Sequence, residues 1–149
     1  MPALVDVYPY RLKDDVPEFL ILKRATDRQY GDQWRMVGGK VEDCEAAWQS
    51  GLRELREETG FFPKLYWAVP SINQFYEAEK DVIHHIPVFA AEISGDHSIV
   101  LNEEHTDYKW IDSSKAAEMI QWPEQHRLIK LINNILTKKH ILNEWKIAL

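Results

Sequence analysis

The chain has 149 residues, of which 45% are hydrophobic and 28% are charged, and these proportions exclude a disordered or low-complexity chain. The 18 Lys and Arg residues are outnumbered by 24 Asp and Glu residues, which gives a formal net charge of −6 and argues against a nucleic acid duplex as partner. No apolar run approaches the ~20 residues that cross a bilayer, so we expect no membrane segment and a cytoplasmic location.

Periodicity and turn residues predict a single domain of residues 1–149, in which strands precede and follow one long helix. The strands are expected at 3–12, 18–23, 34–37, 64–76, 82–93 and 108–111. The helices are expected at 44–59, 113–119 and 123–138. This order predicts an α/β (α+β) fold in which a mixed β-sheet lies between helices. The single cysteine, Cys44, excludes an intrachain disulfide and a zinc site built from several cysteines.

The long helix carries boundary signals at both ends. Asp43 is a suitable N-cap residue, and Gly60 is a suitable C-terminal stop. Upstream, Gly38 and Gly39 are expected to end the preceding strand. Projected at about 100° per residue, the helix places one stripe toward the core, formed by Trp48, Leu52, Leu55 and Thr59.

Another face of this helix carries three carboxylates within about one turn, those of Glu54, Glu57 and Glu58. Like charges at such spacings destabilise a helix by roughly 0.2–0.5 kcal/mol per pair. A mid-helix glycine, Gly51, costs about 1 kcal/mol relative to alanine. A solvated acidic face would explain neither cost. Both are explained if the face binds divalent cations and if a loop or a phosphate approaches closely at Gly51.

The stretch from residue 39 to residue 61 has the spacing G-x5-E-x7-R-E-U-x-E-E-x-G-U, where U is a bulky aliphatic or aromatic residue. The fixed positions are Gly39, Glu45, Arg53, Glu54, Leu55, Glu57, Glu58, Gly60 and Phe61. This pattern resembles, without departure, the signature of the Nudix (MutT-like) hydrolases, and we call the stretch the Nudix box. The resemblance implies the α/β/α sandwich of that family. It also implies hydrolysis of a nucleoside diphosphate linked to another group, by attack of water on phosphorus.

The resemblance further implies roles for individual residues. The implied metal ligands are the carboxylates of Glu54, Glu57 and Glu58 and the backbone carbonyl of Gly38. Arg53 would orient the glutamates, whereas Glu45 would be structural. Mg²⁺ is the expected ion, with Mn²⁺ as an alternative, because hard cations take carboxylate and phosphate oxygens as ligands. Glu57 is the first choice for the residue that contacts the nucleophilic water.

A second acidic segment, Glu103-Glu104-His105, follows the box. Glu104 resembles the additional metal ligand or general base that many family members supply from a later loop, and it rivals Glu57 for the role of base. The segment 103–129 also resembles a bacterial subgroup that hydrolyses dATP or dihydroneopterin triphosphate. We therefore expect a pyrophosphohydrolase that converts a dATP-like nucleoside triphosphate, or a related pterin triphosphate, to the monophosphate and pyrophosphate.

Two alternatives stay open at this point. Tyr76, fifteen residues beyond the box, favours a hydrolase of diadenosine polyphosphates or of another nucleoside diphosphate derivative. However, segment 34–39 lacks the Pro and Lys that usually precede the box in that subgroup. The second alternative is a non-catalytic Nudix-fold module that binds nucleotides or regulates. Such modules usually lack one or more box glutamates, and none is missing here.

Three residues outside the helix are candidates for contacts with the substrate. Trp34 is a candidate to stack on a base or pterin, with an ordinary core position as the alternative. Arg24 and Lys40 are candidates to pair with phosphate, with a surface charge as the alternative for Arg24. The expected partner is a small nucleoside or pterin polyphosphate, and the expected state is a monomer or a homodimer.

Overall fold

A computed structural model describes residues 2–95 and 98–149. These residues form seven strands, Leu4–Lys13 (β1), Val16–Arg24 (β2), Trp34–Arg35 (β3), Val37–Lys40 (β4), Leu65–Glu77 (β5), Val82–Glu92 (β6) and His105–Ile111 (β7). They also form three α-helices, Ala47–Thr59 (α1), Ala116–Met119 (α2) and Pro123–Thr137 (α3). Two short 3-10 helices lie at Ser113–Lys115 and Asn143–Trp145. In the described part of the chain, no helix has the length and apolar character needed to span a membrane.

All seven strands join one mixed sheet. Its main path has the order β3-β2-β1-β6-β5, with β4 added beside β1 and β7 added beside β2. β1 lies in the interior, where it pairs antiparallel with β2 and β4 and parallel with β6. The first half of β1 pairs with β4 and its second half with β2. β1 therefore fixes the position of β4, the strand that leads into the Nudix box.

Helices cover both faces of the sheet. Alternation along β1 sends Val5 and Val7 to one face, where α1 packs, and Tyr8 and Tyr10 to the other face, where α3 packs. Each face has its own buried apolar cluster. This arrangement confirms the predicted mixed sheet between helices.

The long helix begins later than the sequence predicts. Its N-cap is Ala46, so the prediction of Asp43 as the N-cap residue is wrong. Cys44 has a left-handed φ of 65°, and the Glu45 carboxylate accepts a 2.9 Å hydrogen bond from the backbone N–H of Glu42. These features close a turn where the first helical turn was expected. Glu45 consequently lies outside the helix.

Gly38 and Gly39 continue the sheet, so the predicted strand break is wrong. They pair with Asp6 and Val5 in the antiparallel ladder between β4 and β1. A Cβ atom at Gly39 would lie 2.3 Å from the carboxylate of Glu54. A Cβ atom at Gly38 would lie 2.9 Å from a carboxylate oxygen of Asp6. The two glycines therefore allow the backbone of β4 to approach acidic side chains.

The buried face of α1 is rotated relative to the predicted one. Leu55 and Thr59 are buried as predicted, but Trp48 and Leu52 are only half-buried. Glu58 joins the buried set instead. One of the three glutamates on the predicted acidic face therefore points into the protein.

Gly51 also lies on the buried face of α1. A Cβ atom there would lie 2.3 Å from the hydroxyl of Tyr66 and 3.0 Å from a methyl group of Val7. The Tyr66 hydroxyl donates a 2.9 Å hydrogen bond to the carbonyl of Trp48. The prediction that a loop or a phosphate approaches Gly51 is wrong, because the side chain of Tyr66 fills that space.

Replacing Gly51 by alanine is expected to destabilise the protein although alanine favours helices. The propensity gain is about 1 kcal/mol, whereas overpacking costs about 1–3 kcal/mol and the Tyr66 hydrogen bond is disturbed as well. We expect the free energy of unfolding, measured in urea, to fall by about 1–2 kcal/mol. The double variant Gly51→Ala/Tyr66→Phe should lose less than the sum of the single variants. A Gly51→Ala protein as stable as the parent would contradict this packing.

Candidate active site

A cavity of about 440 Å³ opens beside α1, within the size range of small-molecule sites. Part of its polar wall comes from β4, from α1, and from the first residue of β7 with the residue before it. The residues concerned are Gly38, Gly39, Glu54, Glu58, Glu104 and His105. The last two residues reach the cavity because β7 pairs with β2, which places His105 opposite Arg24. The sheet therefore brings a distant segment against the Nudix box.

Glu58, Glu104 and His105 lie together in this wall, and we call them the Glu–His cluster. One potential ligand atom from each lies within 4.8 Å of the others. Nε2 of His105 is 3.5 Å from a carboxylate oxygen of Glu58, and both residues are buried. Oε2 of Glu58 and Nδ1 of His105 are buried with no hydrogen-bond partner among the described residues. Buried polar atoms of this kind require a partner, such as a bound ion.

Burial controls the ionisation of the Glu–His cluster. It raises the pKa of Glu58 well above the usual 4.5, and the neighbouring carboxylates of Glu54 and Glu104 raise it further. Burial lowers the pKa of His105 to about 4, helped by two nearby arginines, so the imidazole is neutral at pH 7. A divalent cation would stabilise the ionised carboxylates, and a neutral imidazole keeps a lone pair for coordination. The donor set therefore fits a divalent cation.

Arg53 is the centre of a network that holds the glutamates of α1. Its guanidinium donates hydrogen bonds of 2.7 Å to Glu45, 2.9 Å to Glu54, 3.3 Å to Glu57 and 2.9 Å to the carbonyl of Lys40. Hydrogen bonding to Glu45 is the main cause that raises the pKa of Arg53, and the same bond lowers the pKa of Glu45 to about 2. Arg53 thereby ties β4 to α1 and orients the Glu54 carboxylate, which is the geometry that its predicted role requires.

The family comparison matches nearly the whole chain. A family model described as the NUDIX domain covers residues 3–132. The chain belongs to the NUDIX domain family. This membership confirms the resemblance that the box suggested, and it makes the protein a Nudix hydrolase, an enzyme that acts on phosphorus-containing anhydrides.

Individual Nudix relatives are similar at low identity. Nucleoside triphosphatase NudI of Klebsiella pneumoniae is 29% identical over 101 residues, which are 62% of this chain and 72% of that protein. The structure of the E. coli dihydroneopterin triphosphate pyrophosphohydrolase has a TM-score of 0.74 at 25% identity, over 89% of this chain and 97% of that one. A C. elegans Ap4A hydrolase has a TM-score of 0.77 at 19% identity, over 93% and 99%. These structures confirm the Nudix fold.

The three Nudix-box glutamates on α1 take different positions. Glu54 and Glu58 line the cavity, and Glu104 joins them there. Glu57 is not among the described residues that line the cavity, and its side chain is 54% exposed. Its hydrogen bonds within the described chain are those with Arg53. The structure thus brings Glu54, Glu58 and Glu104 together and leaves Glu57 on the exposed side of α1.

Two of the three residues predicted to contact the substrate line the cavity. These are Arg24, which lies 3.5 Å from the Glu104 carboxylate, and Lys40. Trp34 is absent from the described lining. It packs against the apolar cluster beneath α3, with the ammonium of Lys109 at 5.4 Å from the centre of its ring. Trp34 is half-buried there, beside the core and away from the described lining of the cavity.

Several residues that line the cavity were not predicted as site residues, among them His105, Asp6, Arg35 and Asn73. His105 carried a signal, because an acid–histidine pair lies in the loop just before a predicted strand. Asp6 carried a weaker one, as a charged residue between two valines of a strand. Arg35 and Asn73 carried none, because strand pairings between distant parts of the chain determine their positions.

Replacing Gly39 by alanine is expected to reduce turnover without unfolding the protein. The new Cβ atom would displace the Glu54 carboxylate, which ends a flexible side chain. If Glu54 is a ligand of the expected Mg²⁺, a disturbance of this kind lowers activity by about 10–100-fold, and we expect that loss in kcat at saturating Mg²⁺. Gly95→Ala is the control, because a Cβ atom there meets nothing within 4 Å. Equal kcat values for the two variants would contradict the placement of Glu54.

Proposed function

We propose that this Nudix hydrolase is a Mg²⁺-dependent pyrophosphohydrolase, which converts a dATP-like nucleoside triphosphate or a related pterin triphosphate to the monophosphate and pyrophosphate. The Glu–His cluster is the main support, because it places buried, partly unpartnered ligand atoms in the wall of a cavity of about 440 Å³. The relatives add support, since one is named a nucleoside triphosphatase and another a dihydroneopterin triphosphate pyrophosphohydrolase.

The residues proposed to hold the cation are the carboxylates of Glu54, Glu58 and Glu104 and the carbonyl of Gly38, with Glu57 as a further ligand from the exposed side of α1. The acidic oxygen donors favour Mg²⁺, and the neutral imidazole of His105 also suits Mn²⁺. A bound divalent cation would neutralise charge on the polyphosphate and activate water. Without it, the cavity presents several carboxylates to an anionic substrate, which would repel it.

The protein's own residues position the reactants. Arg24 and Lys40 bring positive charge to the cavity, where they attract the phosphates. In the reaction, a water oxygen bonds to phosphorus, the bond from phosphorus to the bridging oxygen breaks, and pyrophosphate leaves. Glu104 accepts the proton of that water in this proposal, because it lines the cavity whereas Glu57 points to solvent. Glu57 is retained as the rival base.

The alternative substrates receive less support from the geometry. The position of Tyr76 in the sequence favours a hydrolase of diadenosine polyphosphates. In the structure, however, its side chain is exposed and its hydroxyl donates a 2.7 Å hydrogen bond to Asp81. Phe75 and Glu77 on either side of it line the cavity, so alternation along β5 turns Tyr76 away. A non-catalytic module would not need the complete set of box glutamates.

A substrate panel tests the proposal. The purified protein is incubated with Mg²⁺ and dATP, dGTP, dihydroneopterin triphosphate, ADP-ribose or diadenosine tetraphosphate, and the products are separated by anion-exchange chromatography. We expect pyrophosphate from the triphosphates only. Running the reaction in H₂¹⁸O locates the attack, because label in the monophosphate assigns it to the α-phosphorus. Turnover of dinucleotides alone would replace the proposal, and binding without turnover in either Mg²⁺ or Mn²⁺ would indicate the non-catalytic module.

A further inference from the structure

A second part of the cavity wall is built by strands outside the Nudix box. Its side chains are charged, polar and aromatic, and we call them the strand wall, which comprises Asp6, Arg35, Asn73, Phe75 and His84. They come from β1, β3, β5 and β6. The proposed hydrolysis assigns no role to any of them. Their chemistry therefore bears on what else of the substrate the cavity binds.

Arg35 in the strand wall is held by aromatic rings. Its guanidinium carbon lies 4.7 Å from the ring centre of Tyr30 and 4.8 Å from that of Trp122, and these two rings meet edge to face at 5.3 Å. Nε of Arg35 is buried with no hydrogen-bond partner among the described residues. The rings thus hold the plane of the guanidinium, and the described structure records no hydrogen bond or ion pair for its two terminal nitrogens.

Asp6 supplies an acceptor to the same wall. One of its carboxylate oxygens accepts a 2.8 Å hydrogen bond from the side-chain amide of Asn73. Arg35 influences Asp6 electrostatically, yet the described structure records no ion pair between them. The hydroxyl of Tyr8, which is influenced by both charges, is also buried without a described partner. The guanidinium of Arg35 and the carboxylate of Asp6 therefore line one cavity, and both can form further hydrogen bonds with a ligand.

We propose that Arg35 and Asp6 recognise the 2-amino-oxo-pyrimidine ring that guanine and pterins share. Arg35 donates to the ring carbonyl and the adjacent acceptor nitrogen, as paired arginine donors do with O6 and N7 of guanine. Asp6 accepts from the ring N–H and the exocyclic amino group, which present two parallel donors to a carboxylate. Phe75 also lines the cavity, and its ring packs against His84 at 4.8 Å and Trp122 at 5.7 Å between ring centres, so an aromatic wall flanks the bound ring.

This recognition disfavours adenine. Adenine carries an amino donor where guanine has its carbonyl, and it lacks the adjacent ring N–H and 2-amino donors. Arg35 and Asp6 would then keep unsatisfied groups in a partly buried site, which lowers affinity. The inference rests on the proposed function and narrows its substrate class. Of the two substrates proposed there, it favours the pterin triphosphate, together with guanine nucleotides, over dATP.

Substrate analogues test the two contacts one at a time. For the parent protein we expect kcat/KM to fall about 5- to 100-fold from dGTP to 7-deaza-dGTP, which lacks the N7 acceptor, and by a similar factor from dGTP to dITP, which lacks the amino group. Arg35→Lys, which gives up the planar pair of donors, should reduce the first difference, and Asp6→Asn should remove the second. Arg11→Lys is the matched control, because Arg11 also lies over an aromatic ring, 4.4 Å from the centre of Trp110, but outside this cavity.

Two outcomes would overturn the assignment. One is a parent protein that hydrolyses dGTP, dITP, 7-deaza-dGTP and dATP equally well, a result that does not depend on any variant folding. The other is an Arg35→Lys protein that loses the same factor with every triphosphate, because Arg35 would then contact phosphate. A dihydroneopterin triphosphate arm distinguishes the two sources of the ring, and preference for either one over dATP supports the proposal.

Product binding separates this inference from the proposed hydrolysis. Calorimetric Kd values for dGMP, dIMP and dAMP, measured without metal, should rank dGMP tightest in the parent protein and lose that ranking in Asp6→Asn. Tightest binding of dAMP would overturn the inference. Full Mg²⁺-dependent turnover in Glu58→Gln would instead overturn the proposed function and leave the ranking of the monophosphates unchanged.

Discussion

Replacing Glu58 by glutamine is expected to lower kcat by about 10³-fold or more, equivalent to about 4 kcal/mol in the activation barrier. Glutamine keeps the shape of the side chain but removes the charge that the proposed cation needs. The loss should appear with every accepted substrate, because Glu58 belongs to the Glu–His cluster and not to the strand wall. Steady-state kinetics over a range of Mg²⁺ concentrations measures it.

The same substitution should stabilise the metal-free protein. The pKa of Glu58 is raised in the folded state, so its ionised form disfavours folding, and that penalty grows as the pH rises from the unfolded value of about 4.5 through the folded value. With a chelator present at pH 8, the Tm of Glu58→Gln should therefore be higher than that of the parent protein. The difference is ~2–4 °C for each kcal/mol by which the free energy of unfolding rises. A variant that is both inactive and less stable would indicate a structural role for Glu58.

Replacing Arg53 by lysine is expected to lower kcat by about 10–100-fold while substrate preference stays unchanged. Lysine keeps the charge but cannot donate simultaneously to Glu45, Glu54 and Glu57 in the fixed fork of the guanidinium. The Glu54 carboxylate would then lose its orientation toward the cavity. The Mg²⁺ concentration that gives half-maximal rate should rise in the same variant.

Arg56→Lys is the matched control for Arg53→Lys. Arg56 lies on the same helix and is exposed, and the described structure records no side-chain hydrogen bond or ion pair for it. Its replacement should leave both kcat and the Mg²⁺ dependence at parent values. Similar losses in both variants would show that arginine at this helix matters through net charge, and the orienting role of Arg53 would be abandoned.

The fold was largely predictable because its main signals are local. Alternation in β1, the continuous apolar run of β2 and the periodicity of α3 each depend on neighbouring residues, and their predicted positions agree with the structure to within two residues. The start of α1 was not predictable in this way. Arg53 binds the Glu45 carboxylate, which lies eight residues earlier in the sequence. This hydrogen bond holds Glu45 in a turn where Asp43 suggested the first turn of the helix.

The candidate site was predictable where spacing alone determines it. The box motif predicted Glu54, Glu57, Glu58 and Arg53 together, but Glu57 lies outside the described lining of the cavity. The following acidic loop predicted Glu104. The burial of Glu58 and its contact with His105 could not be predicted, because they depend on the pairing of β7 with β2. The prediction at Gly51 was wrong for a related reason. The hydroxyl of Tyr66, fifteen positions later in the sequence, occupies the space that a side chain at Gly51 would need.

β1 determines the positions of both walls of the cavity. Val5 pairs with Gly39 beneath Glu54, and the next residue, Asp6, pairs with Gly38 and bonds to Asn73. A one-residue insertion or deletion in this strand would turn Asp6 to the opposite face and displace Gly38 and Gly39 at the same time. The turn between β5 and β6 affects the strand wall alone, because its length sets the register of the pairing that carries Asn73, Phe75 and His84, and its Lys80 lines the cavity. Homologues with new substrates should therefore differ in the length of that turn, while the register of the first strand is preserved.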